Sequence, residues 1–180
     1  NIVEHVGLKI SDVEKIKTQG GSLRVKLHKK ISKEKTSNNV NTLVKQENAI
    51  GINDNDYYLE LASKINKKVK KIKSMFVDKY HNDNVLILGS PARGVITANV
   101  CGFEKLKKAI AFDDTDDKQG LMIPGTTIMI HHPDNINYKE YKVACLLAWT
   151  YKDNMIARLK AYGFKGKVFV PFPEAEYIII

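Results

Sequence analysis

Two glycine-containing turns carry the residue types of an anion-binding site. In Gly89-Ser90-Pro91-Ala92-Arg93-Gly94, Gly89 permits a sharp exit from a strand, the helix that follows offers unpaired N–H groups, and Arg93 supplies positive charge. In Gly20-Gly21-Ser22-Leu23-Arg24, adjacent glycines let the backbone approach a ligand, and Ser22 and Arg24 could hold a phosphate or a sugar hydroxyl. A plain structural turn also explains each segment. Neither is a G-x-G-x-x-G or a Walker motif, which disfavours nicotinamide cofactors and ATP.

The remaining groups that could do chemistry favour structural roles. The acidic run Asp113–Asp117 does not have the spacing of a calcium loop, and we interpret it as a solvated strand end that caps a helix. Adjacent histidines at His131 and His132 point apart, so a shared metal is disfavoured and no metal site is predicted. The chain lacks the motifs of nucleophilic or zinc-dependent catalysis, which leaves its catalytic residues unknown. These residue types favour a binding domain over a reaction centre.

The basic charge of the chain lies almost entirely in its first part. Lys and Arg total 29 against 20 Asp and Glu, a formal net charge of +9, and residues 1–80 hold 17 of the basic side chains but 9 of the acidic ones. The six lysines between Lys64 and Lys73 fall mainly on the solvated faces of one predicted helix. A nucleic-acid or polyanion binder that uses this helix is one alternative, and the absence of base-stacking aromatics among the lysines disfavours it.

Composition also bounds the environment of the protein. Two cysteines, Cys101 and Cys145, stand among apolar neighbours and are predicted to be buried free thiols, which fits a reducing, cytoplasmic compartment. The longest apolar run, Val143–Trp149, is far shorter than the roughly 20 residues of a membrane helix, so no membrane partner is expected. The chain starts at Asn1 without a methionine or a signal peptide, which suggests a piece of a longer polypeptide.

The N-terminal third of the sequence predicts a hairpin, a linker and a long helix. Residues 1–28 contain two strand-like pieces around the Gly-Gly-Ser turn, and period-two alternation over residues 23–27 indicates a half-exposed strand. Residues 29–56 are rich in Lys, Asn, Ser and Asp, and predict a solvated linker, a mobile loop or an insertion. From residue 57 the second region begins with a helix whose apolar stripe runs from Leu61 to Tyr80.

Residues 57–180 predict an α/β domain of the Rossmann-like, doubly wound type, with a mainly parallel sheet and flanking helices. Short apolar runs at 85–88, 109–112, 127–130, 143–148 and 167–170, the last stopped by two prolines, alternate with helical stretches near 92–101 and 153–162. Ligands of such sheets lie outside the carboxyl ends of the strands, near the topological switch point. Four segments are predicted there, at residues 89–94, 113–120, 149–153 and 171–174, and Trp149 joins the candidate ligand contacts.

Five short segments, in order, resemble the C-terminal domain of the S-adenosylmethionine-dependent sugar C-methyltransferases, which act on nucleotide-linked keto-deoxysugars. The segments lie at residues 11–25, 88–102, 118–126, 146–151 and 170–174. Each is weak alone, but together they span nearly the whole chain. The sequence departs from the family at Gln19, where histidine is common, at Arg93, where lysine is common, and at Thr115-Asp116, where an Asn-Pro pair is usual.

The resemblance implies a substrate-binding role for this chain. It implies that Gly21, Ser22 and Arg24 contact sugar or phosphate and that Gly89, Ser90, Arg93 and Trp149 line the same cleft. The partners it implies are a UDP- or dTDP-linked deoxysugar and an upstream methyl-donor domain of the same polypeptide. S-adenosylmethionine would bind to that upstream domain, and no cofactor is expected on this chain.

The resemblance also places the catalytic base outside this sequence. The base is a histidine in a Tyr-His-Glu-His stretch upstream of the Gly-Gly-Ser turn, and His5 does not match it. The isolated chain is therefore expected to be inactive. A non-catalytic nucleotide-sugar binding module, fused to other sugar-modifying domains, stays open as an alternative.

Overall fold

The computed structural model describes residues 2–180, and at residue 19 it describes the backbone alone. The first residue, on which the expectation of a longer polypeptide partly rests, lies outside the described residues. The chain divides into two compact units, Asn1–Lys64 and Ile65–Ile180. None of the described helices is both long and apolar enough to cross a membrane.

The first unit is built on an antiparallel hairpin. After one helical turn, α1 (Ile2–His5), strand β1 (Leu8–Ile16) pairs with β2 (Ser22–Lys29). A 3-10 turn at Thr18–Gly20 joins them, and Gly21 has φ +124°, a conformation that favours glycine. The predicted strand pieces and turn are confirmed here, but the apolar face of β2 is less covered than the period-two pattern predicts, because Leu23, Val25 and Leu27 are each more than 40% exposed.

The segment predicted as a solvated linker contains a regular helix, α2 (Asn38–Ala49). The Asp12 carboxylate of β1 anchors its start, because Oδ1 of Asp12 accepts hydrogen bonds from Ser37 Oγ at 2.5 Å and Asn39 Nδ2 at 3.0 Å. Val40 and Leu43, three residues apart, are half-buried and share one helix face. The polar composition of residues 29–56 hid this helix because only a narrow apolar face is needed to pack it on two strands.

A long helix leads from the first unit into the second. It comprises α3 (Asn55–Ile72), a π-helical turn at Lys73–Val77 and a last turn, α4 (Asp78–Tyr80). Of the predicted apolar stripe, Ile72 and Phe76 are buried, whereas Leu61 is 40% and Ile65 53% exposed. Helical periodicity shows which residues share a face but not how far the partner surface extends along it.

The second unit is a six-stranded sheet with apolar clusters on both faces. Its elements are β3 (Asn84–Leu88), α5 (Ala92–Cys101), β4 (Lys108–Phe112), β5 (Met129–His131), β6 (Val143–Leu146), α6 (Lys152–Ala161), β7 (Lys167–Val170) and β8 (Glu176–Ile179). Along β3, Val85 and Ile87 pack into the cluster that includes α5, and Leu86 and Leu88 into the cluster that includes α6. Burial on both faces explains why these strands are continuous apolar runs.

The strand order is β5-β4-β3-β6-β7-β8, and the five strands from β3 to β7 are parallel. The chain builds outward from β3 to β5 and then returns to place β6 on the other side of β3. The topological switch point therefore lies between the carboxyl ends of β3 and β6. This order confirms the predicted Rossmann-like, doubly wound α/β fold.

The structure departs from the predicted sheet in three details. The strand at 167–170 is not the last, because the chain reverses after its prolines and Glu176–Ile179 pairs antiparallel with β7. The connections from β4 to β5 and from β5 to β6 hold short 3-10 turns instead of α-helices, at Asp116–Lys118, Pro133–Asn135 and Tyr138–Glu140. The β-strand predicted at 127–130 is only three residues long, Met129–His131.

Candidate functional site

Two glycines allow the turn between β3 and α5 to lie close to the sheet. Gly89 has φ +78°, and a Cβ there would lie 2.8 Å from the Cβ of Ala148, in the loop after β6. A Cβ on Gly94 would lie 2.9 Å from the Cβ of Leu147, so this glycine lets α5 pack closely on the same loop. Since α5 begins at Ala92, its first N–H groups are at this edge of the sheet.

Asp113, the first residue after β4, holds this turn in place. Its Oδ2 accepts hydrogen bonds from Ser90 N and Ser90 Oγ, both at 2.8 Å, and from Lys118 Nζ at 3.0 Å. Its Oδ1 accepts from Thr115 N at 3.1 Å and from Thr115 Oγ1 at 2.7 Å. The loop after β3 and the loop after β4 are therefore tied together by one carboxylate.

The environment of Asp113 stabilises its charge. Partial burial alone would raise the pKa of this carboxyl, but the hydrogen bonds from Thr115, Ser90 and Lys118 outweigh burial and hold its pKa well below the usual range. The side chain is 12% exposed. The prediction of a solvated strand end is therefore wrong for Asp113, because three neighbouring residues replace water around it, whereas the other acidic residues of the run are exposed.

The next residue, Asp114, forms a two-pronged ion pair with α6. Arg158 Nη1 lies 2.6 Å from Asp114 Oδ2, and Arg158 Nη2 lies 2.7 Å from Asp114 Oδ1. The Arg158 guanidinium lies 5.7 Å from the ring centroid of Phe112 and is largely covered. The hydrogen bonds that Arg158 donates to the Asp114 carboxylate lower the pKa of Asp114 and raise the pKa of Arg158.

These elements enclose a pocket of about 230 Å³ at the switch point. Its lining combines apolar side chains, charged groups and backbone: Gly89, Pro91, Phe112, Asp113, Asp114, Thr115, Lys118, Ala148, Tyr151 and Met155. The residues come from the end of β4, from the loops after β3, β4 and β6, and from α6. An apolar surface beside a few fixed polar groups is typical of a small-molecule site.

The candidate residues of the second unit have different positions around this pocket. Gly89 lines it. Ser90 is 5% exposed and uses its O–H in the bond to Asp113, so it would face a ligand only as an acceptor. Arg93 is exposed near the start of α5, and the Trp149 ring packs on Phe172 with centroids 4.7 Å apart.

The candidate residues of the first unit lie at the end of the hairpin. Gly21 and Ser22 line a groove of about 380 Å³ beside α2, and Ser22 Oγ donates to Thr18 O at 2.9 Å. Arg24 pairs with Glu14 at 3.1 Å, and both side chains are more than half exposed. Because these residues and the switch-point pocket belong to separate units, a single cleft lined by both sets stays a prediction.

Most of the residues that line the pocket were not predicted from the sequence. Segments 113–120 and 149–153 were predicted at the correct edge of the sheet, but Asp114, Lys118 and Met155 were not singled out. One sequence signal was present: Tyr151 and Met155 are four residues apart and Arg158 follows three later, which is the spacing of one helix face.

The described residues offer little redox or metal chemistry. Among residues 2–180, no three His, Cys, Asp or Glu side chains are grouped to hold a metal ion. Cys101 and Cys145 are free and buried, as predicted, and burial raises the pKa of the Cys101 thiol to about 11. Neither thiol has the exposed, charged surroundings of a nucleophile.

Fold and site together define the second unit as a Rossmann-like α/β domain with a candidate ligand pocket at its switch point. Comparison with known proteins agrees: the family model described as the C-methyltransferase C-terminal domain matches residues 17–173, so the chain belongs to this family. The chain is also 26% identical over 179 residues to C-methyltransferase NovU of Streptomyces niveus. That alignment covers 98% of this chain and 43% of the relative, so the chain spans less than half of the relative's length.

Proposed function

We propose that this chain is the substrate-binding domain of an S-adenosylmethionine-dependent C-methyltransferase that acts on a UDP- or dTDP-linked deoxysugar. The observation that supports this most directly is the switch-point pocket in a chain of the C-methyltransferase C-terminal domain family. The pocket offers an apolar surface, a backbone turn at a helix start and fixed polar groups, which suit a nucleotide.

In the proposed enzyme, the chain contributes binding and orientation. Gly89 and the N–H groups at the start of α5 would approach the phosphates, and Arg93 would add positive charge. In the first unit, Ser22 and Arg24 would contact sugar or phosphate, and in the second unit Trp149 would contribute to substrate binding. A base outside this chain would remove a proton next to the keto group. S-adenosylmethionine would supply the methyl group, whose bond to sulfur breaks as the new carbon–carbon bond forms, and S-adenosylhomocysteine would leave. Holding both reactants in line is the catalytic contribution of the binding domain.

The cofactor and the compartment follow from the same proposal. S-adenosylmethionine would bind to an upstream domain of the same polypeptide, so this chain would hold the sugar nucleotide alone. The two buried free thiols fit a cytoplasmic enzyme.

Binding to a nucleic acid or another polyanion is less well supported. Three of the six lysines between Lys64 and Lys73 pair with carboxylates: Lys64 with Glu60 at 2.7 Å, and Lys68 and Lys71 with Glu174 at 3.2 and 4.0 Å. These pairs reduce the positive charge that a phosphate backbone would meet.

Titration calorimetry of the 180-residue chain tests the proposal. We expect UDP or dTDP to bind, and inorganic phosphate at the same concentration to bind far more weakly, since it lacks the nucleoside. Arg93→Gln should lower the affinity for the diphosphates. Lys165→Gln serves as the matched control, because Lys165 is exposed in the loop before β7. Failure of both diphosphates to bind would contradict the proposal.

A methyl-transfer assay tests the division of roles. The isolated chain, incubated with S-adenosylmethionine and a nucleotide-linked keto-deoxysugar, should give no methylated product because the base and the donor site lie outside it. Turnover by the isolated chain would show that the proposed roles are wrong.

A further inference from the structure

We infer that Asp114, held by Arg158, is the residue that accepts hydrogen bonds from the pentose hydroxyls of the nucleotide in the switch-point pocket. This inference rests on the proposed function and assigns the nucleoside portion of that substrate to one end of the site. The pocket that Asp114 lines, and the acceptor positions left on its carboxylate, carry the inference.

Of the two carboxylates that line the pocket, only Asp114 has acceptor capacity left. A carboxylate offers about four lone-pair positions. Asp113 accepts five hydrogen bonds, two on Oδ1 and three on Oδ2, so it is saturated by the protein. Among the described residues, Asp114 accepts one bond on each oxygen, both from Arg158, and its side chain is 59% exposed. About two lone-pair positions therefore remain on Asp114.

The orientation of Asp114 is fixed before any ligand arrives. A guanidinium bound through both nitrogens holds the plane of the carboxylate, and packing over Phe112 holds the guanidinium. Because both acceptors are preset, a ligand hydroxyl would not have to order this side chain, which lowers the entropic cost of binding.

The charges around the pocket favour hydroxyls over phosphate at this end. A phosphate beside Asp114 would meet a second carboxylate, Asp113, whereas hydroxyl groups donate to carboxylates without repulsion. The phosphate is better placed at the turn after β3, at the start of the ten-residue helix α5. In doubly wound sheets, an acidic residue after the second strand commonly binds the pentose while the phosphates lie at the first turn. β4 is the second strand of this sheet along the chain.

Removal of the hydroxyls and removal of the carboxylate charge should have the same effect. Calorimetry would compare UDP with 2′,3′-dideoxy-UDP, and dTDP with 3′-deoxy-dTDP, on the wild-type chain, on Asp114→Asn and on the control Asp117→Asn. Asp117 is exposed in the same acidic run and does not line the pocket. We expect the deoxygenated ligands to bind the wild-type chain about 10-fold more weakly, the loss for one hydrogen bond to a charged acceptor.

The variants make this a two-way test. Asp114→Asn should lower the affinity for UDP by about the same factor but leave the affinity for dideoxy-UDP unchanged. Asp117→Asn should bind all the ligands with the affinity of the wild type. Equal affinity of the wild-type chain for UDP and dideoxy-UDP would overturn the assignment of Asp114, even if Asp114→Asn fails to fold. Absence of binding by every diphosphate would instead overturn the proposed function and this inference with it.

Discussion

Replacement of Asp113 by alanine tests whether this carboxylate builds the pocket. The substitution removes the acceptor for Ser90 N–H and for Lys118 Nζ. Ser90 is 5% exposed, so its N–H loses its partner where water has little access, which costs about 1–3 kcal/mol. Lys118 is about one-third exposed and can turn into solvent, which adds about 1 kcal/mol. We expect the free energy of unfolding of the second unit to fall by about 2–4 kcal/mol.

Urea unfolding followed by tryptophan fluorescence would measure this loss. The chain has one tryptophan, Trp149, which packs on Phe172 within the second unit and therefore reports on that unit. Asp117→Ala, in the same acidic run but exposed, should change the free energy of unfolding by less than about 0.5 kcal/mol. If Asp113→Ala unfolds at the same urea concentration as the wild type, Asp113 does not hold the turn.

The difference in the free energy of unfolding between the wild type and Asp113→Ala should depend on pH. The pKa of Asp113 is lowered in the folded chain, so its charge stabilises the fold above the usual aspartate pKa of about 3.9, and this stability is lost as the pH falls below that value. The difference between the wild type and Asp113→Ala should therefore be full at about pH 7 and shrink in acid. If that difference in the free energy of unfolding stays constant down to about pH 3, the pKa of Asp113 is not lowered in the folded chain.

Three further substitutions or treatments probe the packing of the second unit. Gly89→Ala should lower the free energy of unfolding by about 2–4 kcal/mol, because it strains a left-handed backbone and places a methyl group 2.8 Å from a neighbouring side chain. Gly120→Ala is the control, because Gly120 has a similar φ but open space around it. It should cost only about 1 kcal/mol in the same urea assay. Ile72→Ala should cost about 2–5 kcal/mol because Ile72 is fully buried. Ile65 is half-exposed on the same stripe, so Ile65→Ala should cost below about 1 kcal/mol. Equal losses would contradict the finding that Ile72 is buried and Ile65 is not. The buried thiol of Cys145, whose pKa burial raises, should resist iodoacetamide at about pH 8 until urea unfolds the chain, as mass spectrometry would show.

Strand positions in the second unit could be predicted well because burial on both faces leaves a simple signature. Continuous apolar runs gave β3, β4, β6 and β7 to within two residues, and the glycine turn after β3 marked the start of α5. Strand β8 was missed because it follows two prolines and lies at the sheet edge, where its residues are exposed or half-buried and form no continuous apolar run. Helix α2 was missed because its apolar face is narrow and because Asp12, which anchors its start, is distant in sequence.

Local features of the sequence by themselves determined the class of this protein: the doubly wound α/β pattern, the turn of residues 89–94 and the ordered segments of the C-methyltransferase family. Period and turn chemistry act over a few residues, so they are readable without a partner. The tertiary structure decided which loops meet. Asp114 and Arg158 are 44 residues apart, and Asp113 and Ser90 are 23 apart. The pocket forms because the chain returns to place β6 beside β3. This return brings the loop after β6 next to the loops after β3 and β4.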